Sequence, residues 1–248
     1  MKIAIITGGS RGIGKSTALN LAKHGIGIVF TFNKHPQEAE TVVSEIKKIG
    51  GKAVALQLDV VKVKSFEGFV AQVSQALKKE WNQTTFDYLV NNAGNAQRTL
   101  IKDVSEEQFD ELVNVHFKGV FFLTQRLIPL MNDGGHVIFI SSGLTRVTRP
   151  AGVAVYAAVK GAIEVMTRYV AVEFAHRKIR ANCVAPGALD TDFGGGRTDE
   201  QRKMIGEHTL LGRIGKAEDI GPIIASLLSQ DNQWINAQRI EASGGTAG

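Results

Sequence analysis

Short runs of β-branched and apolar residues alternate along the chain with longer segments whose apolar positions recur at helical spacing. Strands are predicted over residues 3–7, 28–32, 53–58, 86–90, 136–140, 179–185 and 234–240, and helices over 16–24, 36–49, 65–79, 106–131 and 154–174. The strand runs are continuously apolar instead of alternating, as in parallel strands covered on both faces. Strand and helix in regular succession is the signature of βαβ units, so the expected class is α/β, with seven strands and helices on both faces of the sheet. Pro36 suits a first helical turn and Gly50-Gly51 a stop, in agreement with that alternation. Nothing divides the chain, so a single domain over 1–248 is expected. Its one long irregular segment, 186–211, rich in Gly and polar residues, reads as a substrate-binding loop.

Composition narrows the classes without choosing among them. With 44% hydrophobic and 21% charged residues over 248 positions, the chain is an ordinary globular one. No apolar stretch reaches membrane-spanning length, and the first residues run directly into a strand with no signal-peptide pattern. Cytoplasmic location and no membrane partner are therefore expected. The one cysteine, Cys183, excludes an internal disulfide framework and ends an apolar run, which suits a buried core thiol. A net charge of +5 is scattered over helix surfaces, which argues against nucleic acid but leaves room for an anionic substrate or carrier. The histidines form no metal-ligand pattern, and no metal is expected. Segments 106–131 and 155–174 are apolar on more than one face, consistent with burial against another subunit.

Candidate chemistry begins at Tyr156 and Lys160, four residues apart on one predicted helix and so on one face of it. A fixed ammonium favours the phenolate, lowering the phenol's pKa from about 10 and letting it pass a proton to a carbonyl near neutral pH. Ser141 and Ser142 end the strand over 136–140. Between the first strand and first helix lies Thr7-Gly8-Gly9-Ser10-Arg11-Gly12-Ile13-Gly14-Lys15-Ser16, a loop suited to phosphate. Read from Gly9 it fits the P-loop of nucleoside triphosphatases, with Lys15 and Ser16 reaching phosphate and magnesium. Read from Thr7 it is a dinucleotide loop. Only the second reading also gives Asn91-Asn92-Ala93-Gly94, Ser142, Tyr156, Lys160 and Pro186-Gly187 a role.

With Thr7-Gly8-x-x-x-Gly12-Ile13-Gly14, Asp59-Val60, Asn91-Asn92-Ala93-Gly94, Ser142, Tyr156-x-x-x-Lys160 and Pro186-Gly187-x-x-x-Thr191 in this order, the chain resembles the short-chain dehydrogenase/reductase family over essentially its whole length. It is similar in style to 3-oxoacyl-carrier-protein reductases. The resemblance implies one Rossmann-type domain, doubly wound about a mostly parallel seven-stranded sheet. It also implies an NAD(P) cofactor, a small carbonyl or alcohol substrate (an acyl thioester among the options), and a homotetramer or homodimer. It places Gly8, Ser10, Arg11, Gly12, Ile13 and Gly14 at the phosphates, Asp59 and Val60 at the adenine, Asn91, Ala93 and Gly94 at the ribose and cleft floor, and Pro186, Gly187 and Thr191 by the nicotinamide. Tyr156 is implied as proton donor, with Lys160 beside it holding the nicotinamide ribose and Ser142 as second donor to the substrate oxygen.

The second strand ends Phe30-Thr31-Phe32-Asn33-Lys34, with no acid to accept a ribose 2′-hydroxyl. Arg11 and Lys34, with Asn33 between strand and cation, could close on a 2′-phosphate instead, so NADP(H) is expected over NAD(H). Two features depart from the family pattern. Fourteen residues separate Ser142 from Tyr156 where thirteen are usual, so the loop 143–155 carries one more residue; Ser141 is then expected to turn toward the cofactor. The helical asparagine that relays protons through water in many relatives is replaced by His116, with Asn114 two residues earlier. A relay through His116, adding a pH dependence near 6.5, and a histidine simply packed between helices both remain open. The pocket edge is expected from 144–155 and 192–211. A protein that binds NADP(H) but turns over little would be marked by loss of Ser, Tyr or Lys from this set, and all three are present.

Overall fold

The β-branched runs pair as parallel strands because the helices between them return the chain to the same edge each time. In a computed structural model that describes residues 1–148 and 150–246, strands β1 (Ile3–Ile6), β2 (Gly27–Phe32), β3 (Ala53–Gln57), β4 (Phe86–Asn91), β5 (Met131–Ile140), β6 (Arg180–Pro186) and β7 (Arg239–Ala242) form one sheet in the order 3-2-1-4-5-6-7. Every pairing is parallel. The order reverses between β1 and β4, the switch point at which open α/β sheets bind ligands beyond their carboxyl ends.

Alternate strand residues feed two cores. Ile3, Ile5, Leu89, Val137 and Phe139 face α3 (Phe66–Trp81), α5 (Gly119–Leu127) and α6 (Ala154–Glu173). Ala4, Ile6, Ile28, Phe30, Val90 and Ile138 face α1 (Gly12–Lys23), α2 (Pro36–Lys48) and α8 (Ala217–Leu228). Helices on both faces of a wholly parallel sheet make this a Rossmann-type fold.

Three expectations are corrected and one helix is added. The predicted strand over 234–240 forms only at its end. Trp234 is fully exposed, Ala237 has φ +58°, and the Asn236 Oδ1 accepts from the Ala181 N–H, so the segment before Arg239 is a turn and not a strand. The predicted helix over 106–131 is α4 (Glu106–Val113) and α5 joined by a π-helical turn (Asn114–Lys118), and Met131 already belongs to β5. The irregular segment 186–211 contains α7 (Asp199–Glu207), whose start is a reciprocal capping box between Thr198 and Gln201. Finally, α8 was not anticipated. Arg149, within the predicted pocket edge, and the last two residues of the expected domain lie outside the described residues. No helix among the described residues is long and apolar enough to cross a membrane.

Candidate active site

At the switch point, the turn from β1 to α1 is tied down by its own neighbours. The Asn92 Nδ2 donates to the carbonyls of Thr7 (2.8 Å) and Gly8 (2.9 Å), while the Thr7 Oγ1 accepts from the N–H groups of Asn92 and Ala93, both at 2.9 Å. Gly8 has φ +65°, and a Cβ on Gly14 would stand 2.2 Å from the Gly8 carbonyl, so glycine is required at both places. Helix α1 starts with no acidic residue in its first turn and no side-chain cap on its N–H groups, an arrangement that favours an anion. The P-loop reading fails here. The Lys15 Nζ is paired with Glu45 at 2.8 Å, and the Ser16 hydroxyl is buried against Gly221 of α8, so neither residue serves the loop.

The other implied cofactor positions gather along the same carboxyl edge, with one difference. Ser10 and Ile13 belong to the loop; Arg11, Asn33 and Lys34 stand exposed beside it, and neither Arg11 nor Lys34 has an ion-pair partner among the described residues. The Asp59 carboxylate accepts from the Val61 N–H and lies 3.7 Å from the Lys62 Nζ, and Val60 packs against the core. Asn91 ends β4 as anticipated, but its side chain is buried and donates to the Thr124 Oγ1 of α5 at 3.1 Å, so it offers the cleft only backbone. The structural role falls to Asn92, which sequence reading had passed over although it lies inside the quoted motif. Gly187 follows β6 with its N–H on the Ala242 carbonyl, and the Thr191 Oγ1 accepts from the Phe193 N–H. Phe193 leans over the Tyr156 ring at 6.1 Å between centroids, which brings the loop after β6 across the cleft. These residues fit a dinucleotide with an additional phosphate.

Ser142, Tyr156 and Lys160 are brought together by β5 and α6. The Ser142 Oγ accepts from the Leu144 N–H at 3.2 Å, which leaves its own hydrogen free, and this hydroxyl favours the Tyr156 phenolate. Lys160 is 5% exposed; its Nζ donates to the Ile140 carbonyl at 2.8 Å and stands 5.6 Å from the Tyr156 ring centroid. The longer 143–155 loop opens directly after Ser142 with a 3-10 turn (Gly143–Thr145). Ser141 does not turn toward the cofactor: its hydroxyl points inward to the Glu164 carboxylate at 2.7 Å.

The anticipated lowering of the phenol is also absent from this state. Burial pushes Tyr156 up to about 12, opposed only by the Ser142 hydrogen bond, while burial brings Lys160 down to about 8.

His116, not Asn114, meets Tyr156. Its ring lies edge-on to Tyr156 at 5.1 Å, and its Nε2 faces the Asn95 carbonyl (2.8 Å) and Oδ1 (3.1 Å). Because the Asn95 Nδ2 is committed to Glu111 at 2.7 Å, both of those atoms are acceptors and Nε2 carries the hydrogen. Burial, and then the Lys160 charge, hold His116 down at about 3, so it is neutral and adds no transition near 6.5.

Beside Tyr156 is a small recess lined by Val153 and Val155, within the predicted pocket edge, and by Gln97, Val104 and Leu112, which were missed. The only sequence signal for these was the long polar stretch after Gly94. Among the described residues no cluster of three potential metal ligands occurs.

A family model described as enoyl-(acyl carrier protein) reductase matches residues 8–247. The hydroxynaphthalene reductase-like protein Arp2 of Metarhizium brunneum is 34% identical, over 99% of this chain and 94% of its own. Among solved structures, the angucycline C-6 ketoreductase LanV with bound NADP is 33% identical with a TM-score of 0.94 over 99% and 95% of the two chains. A short-chain dehydrogenase/reductase from Serratia marcescens is 30% identical with a TM-score of 0.92 over 100% and 98%. Together with the site at the switch point, these likenesses place the chain in the short-chain dehydrogenase/reductase family of oxidoreductases.

Proposed function

We propose that the protein is an NADP(H)-dependent reductase of ring-borne ketones or quinones, working through Ser142, Tyr156 and Lys160. The observation that carries this reading is the meeting of those three side chains beyond β5, beside a glycine loop and two exposed cations. When bound, the cofactor supplies a hydride to the carbonyl carbon. Tyr156 then gives its phenolic proton to the carbonyl oxygen, completing the alcohol. Ser142 donates a second hydrogen bond to that oxygen as charge builds on it, a contribution of about 10² to 10³ in turnover. Lys160, anchored on Ile140, holds positive charge near the phenol, and with Arg11 and Lys34 it fits the anionic cofactor. The reductase relatives support a cyclic carbonyl, and the description of the family model keeps acyl thioesters in the test panel.

The exposed apolar side chains Phe109 and Phe121 on α4 and α5, with Val165, Tyr169 and Val172 on α6, support assembly as a homodimer or homotetramer. The single buried thiol suits the reducing cytoplasm. The test is NADPH consumption against cyclic ketones, quinones and acyl thioesters, repeated with Tyr156→Phe. Turnover that falls by about 10² to 10⁴ in the variant, with NADPH still bound, supports the reading. Undiminished turnover would move the proton donor elsewhere, and no consumption with any carbonyl would leave a nucleotide-binding protein without this activity.

A further inference from the structure

The proposed chemistry leaves Glu164 without a task, although it follows Lys160 by one helical turn and Tyr156 by two. Helix α6 thus presents a phenol, an ammonium and a carboxylate in one row. The Glu164 side chain is 15% exposed, and its Oε1 is met by the Ser141 Oγ (2.7 Å), the Thr145 Oγ1 (2.7 Å) and the Arg239 Nε (2.6 Å). Burial would push this carboxyl up, yet those three donors hold it below its ordinary value. Arg239 arrives from β7, at the far edge of the sheet, with its side chain 8% exposed. Its Nη2 donates to the Ser142 carbonyl at 3.3 Å and to the Thr145 Oγ1 at 3.1 Å, and its Nη1 pairs with Glu241.

Every polar contact of this ion pair, apart from Glu241, therefore falls on residues 141–145. Those residues form the turn that carries Ser142 and opens the 143–155 loop. Burying two charges contributes little net stability compared with apolar packing of the same volume, whereas it fixes geometry sharply. We propose that Glu164 and Arg239 are positioning residues, an ion pair that clamps the Ser142 turn onto α6 and keeps its hydroxyl in register with Tyr156. This rests on the role given to Ser142 above.

The experiment is a double-mutant cycle on the full-length enzyme with a carbonyl that the wild type reduces. Glu164→Gln, Arg239→Met and Arg239→Lys are made alone and with Ser142→Ala, and kcat, KM, NADPH affinity and melting temperature are measured for each. Alone, Glu164→Gln and Arg239→Met lower kcat about tenfold or more while NADPH affinity stays within about twofold, and Arg239→Lys retains part of the rate. In the Ser142→Ala background the same substitutions cost no more than about twofold, because nothing remains for them to position. A full cost that persists in that background overturns the proposal, as does unchanged kcat in folded single variants. Should Arg239→Met fail to fold, Glu164→Gln, which keeps side-chain volume, completes the cycle. The two readings separate cleanly: a Ser142→Ala enzyme as fast as wild type removes the role of Ser142 and the clamp with it, whereas a slow one with additive costs removes the clamp alone.

Discussion

Lys160 commits one ammonium hydrogen to the Ile140 carbonyl, and its Nζ stands 5.6 Å from the centre of the Tyr156 ring, so burial and not the neighbouring charge sets the phenol's resting state. Tyr156 is neutral throughout the physiological range, as a proton donor should be. The titration that matters near neutrality in the free protein is that of Lys160, brought down by burial to about 8. Its charged form is lost as pH rises through that value, so kcat/KM for reduction should be level from about pH 6 to 7 and fall above about 8. His116, held neutral at about 3, adds no inflection near 6.5; a step there in the profile would show that it titrates in the working enzyme. The proposed preference for NADP(H) also rests on single residues. Removing both exposed cations, as Arg11→Ala with Lys34→Ala, should raise KM for NADPH by about 30- to 150-fold, at about 1–1.5 kcal/mol for each charged contact, and leave KM for NADH nearly unchanged. Equal losses with both cofactors would mean that the pair does not read the 2′-phosphate.

The joint between α4 and α5 is an element-scale device. A π-helical turn at Asn114–Lys118 brings His116 against Tyr156, and α5 then begins at Gly119, where a Cβ would stand 2.2 Å from the Val60 carbonyl. Gly119→Ala must push β3's continuation away from α5, and the strain should cost about 1–3 kcal/mol in urea unfolding. An alanine variant as stable as wild type would show that this contact yields freely. Such a turn was not legible in the sequence, because residues 106–131 keep apolar positions on more than one face and a one-residue shift of helical phase leaves no gap in that pattern. The strands were legible, since β-branched runs bounded by turn residues have few other solutions. Two exceptions have local causes. The capping pattern Thr198-x-x-Gln201 announced α7 but sat inside a glycine-rich stretch that reads as a loop. The segment before β7 is β-prone by composition, yet the Asn236 side chain takes the Ala181 N–H that a continuing strand would have used. At the candidate site, spacing picked out Ser142, Tyr156 and Lys160, which the fold brings close together, whereas Asn92, Glu164 and Arg239 are held there by contacts between distant segments, which spacing does not encode.

Two buried histidines flank the sheet's centre: His136 in the middle of β5, beside Asn182 of β6, and His116 beyond the carboxyl end of that strand, under Tyr156. Both are fully buried and both are held down at about 3, by burial first and then by the charge of Arg180 or Lys160. In the unfolded chain each titrates near its ordinary 6.5. Between about 6.5 and 3, then, the unfolded state binds more protons than the folded one, and folding stability falls as pH falls. The stability is fully present above 6.5, and each histidine removes up to about 1.4 kcal/mol per pH unit below it. Glu164 and Asp219, both held below their ordinary values, act with the same sign but only below about 4.5, so the interval from 6.5 to 5 isolates the histidines. Urea unfolding should lose about 3 kcal/mol across that interval, and His136→Asn, which removes one of the two groups, should lose about half as much. A variant with the full wild-type slope would mean that His136 is already protonated in the folded protein, and that the base of the sheet is open to water.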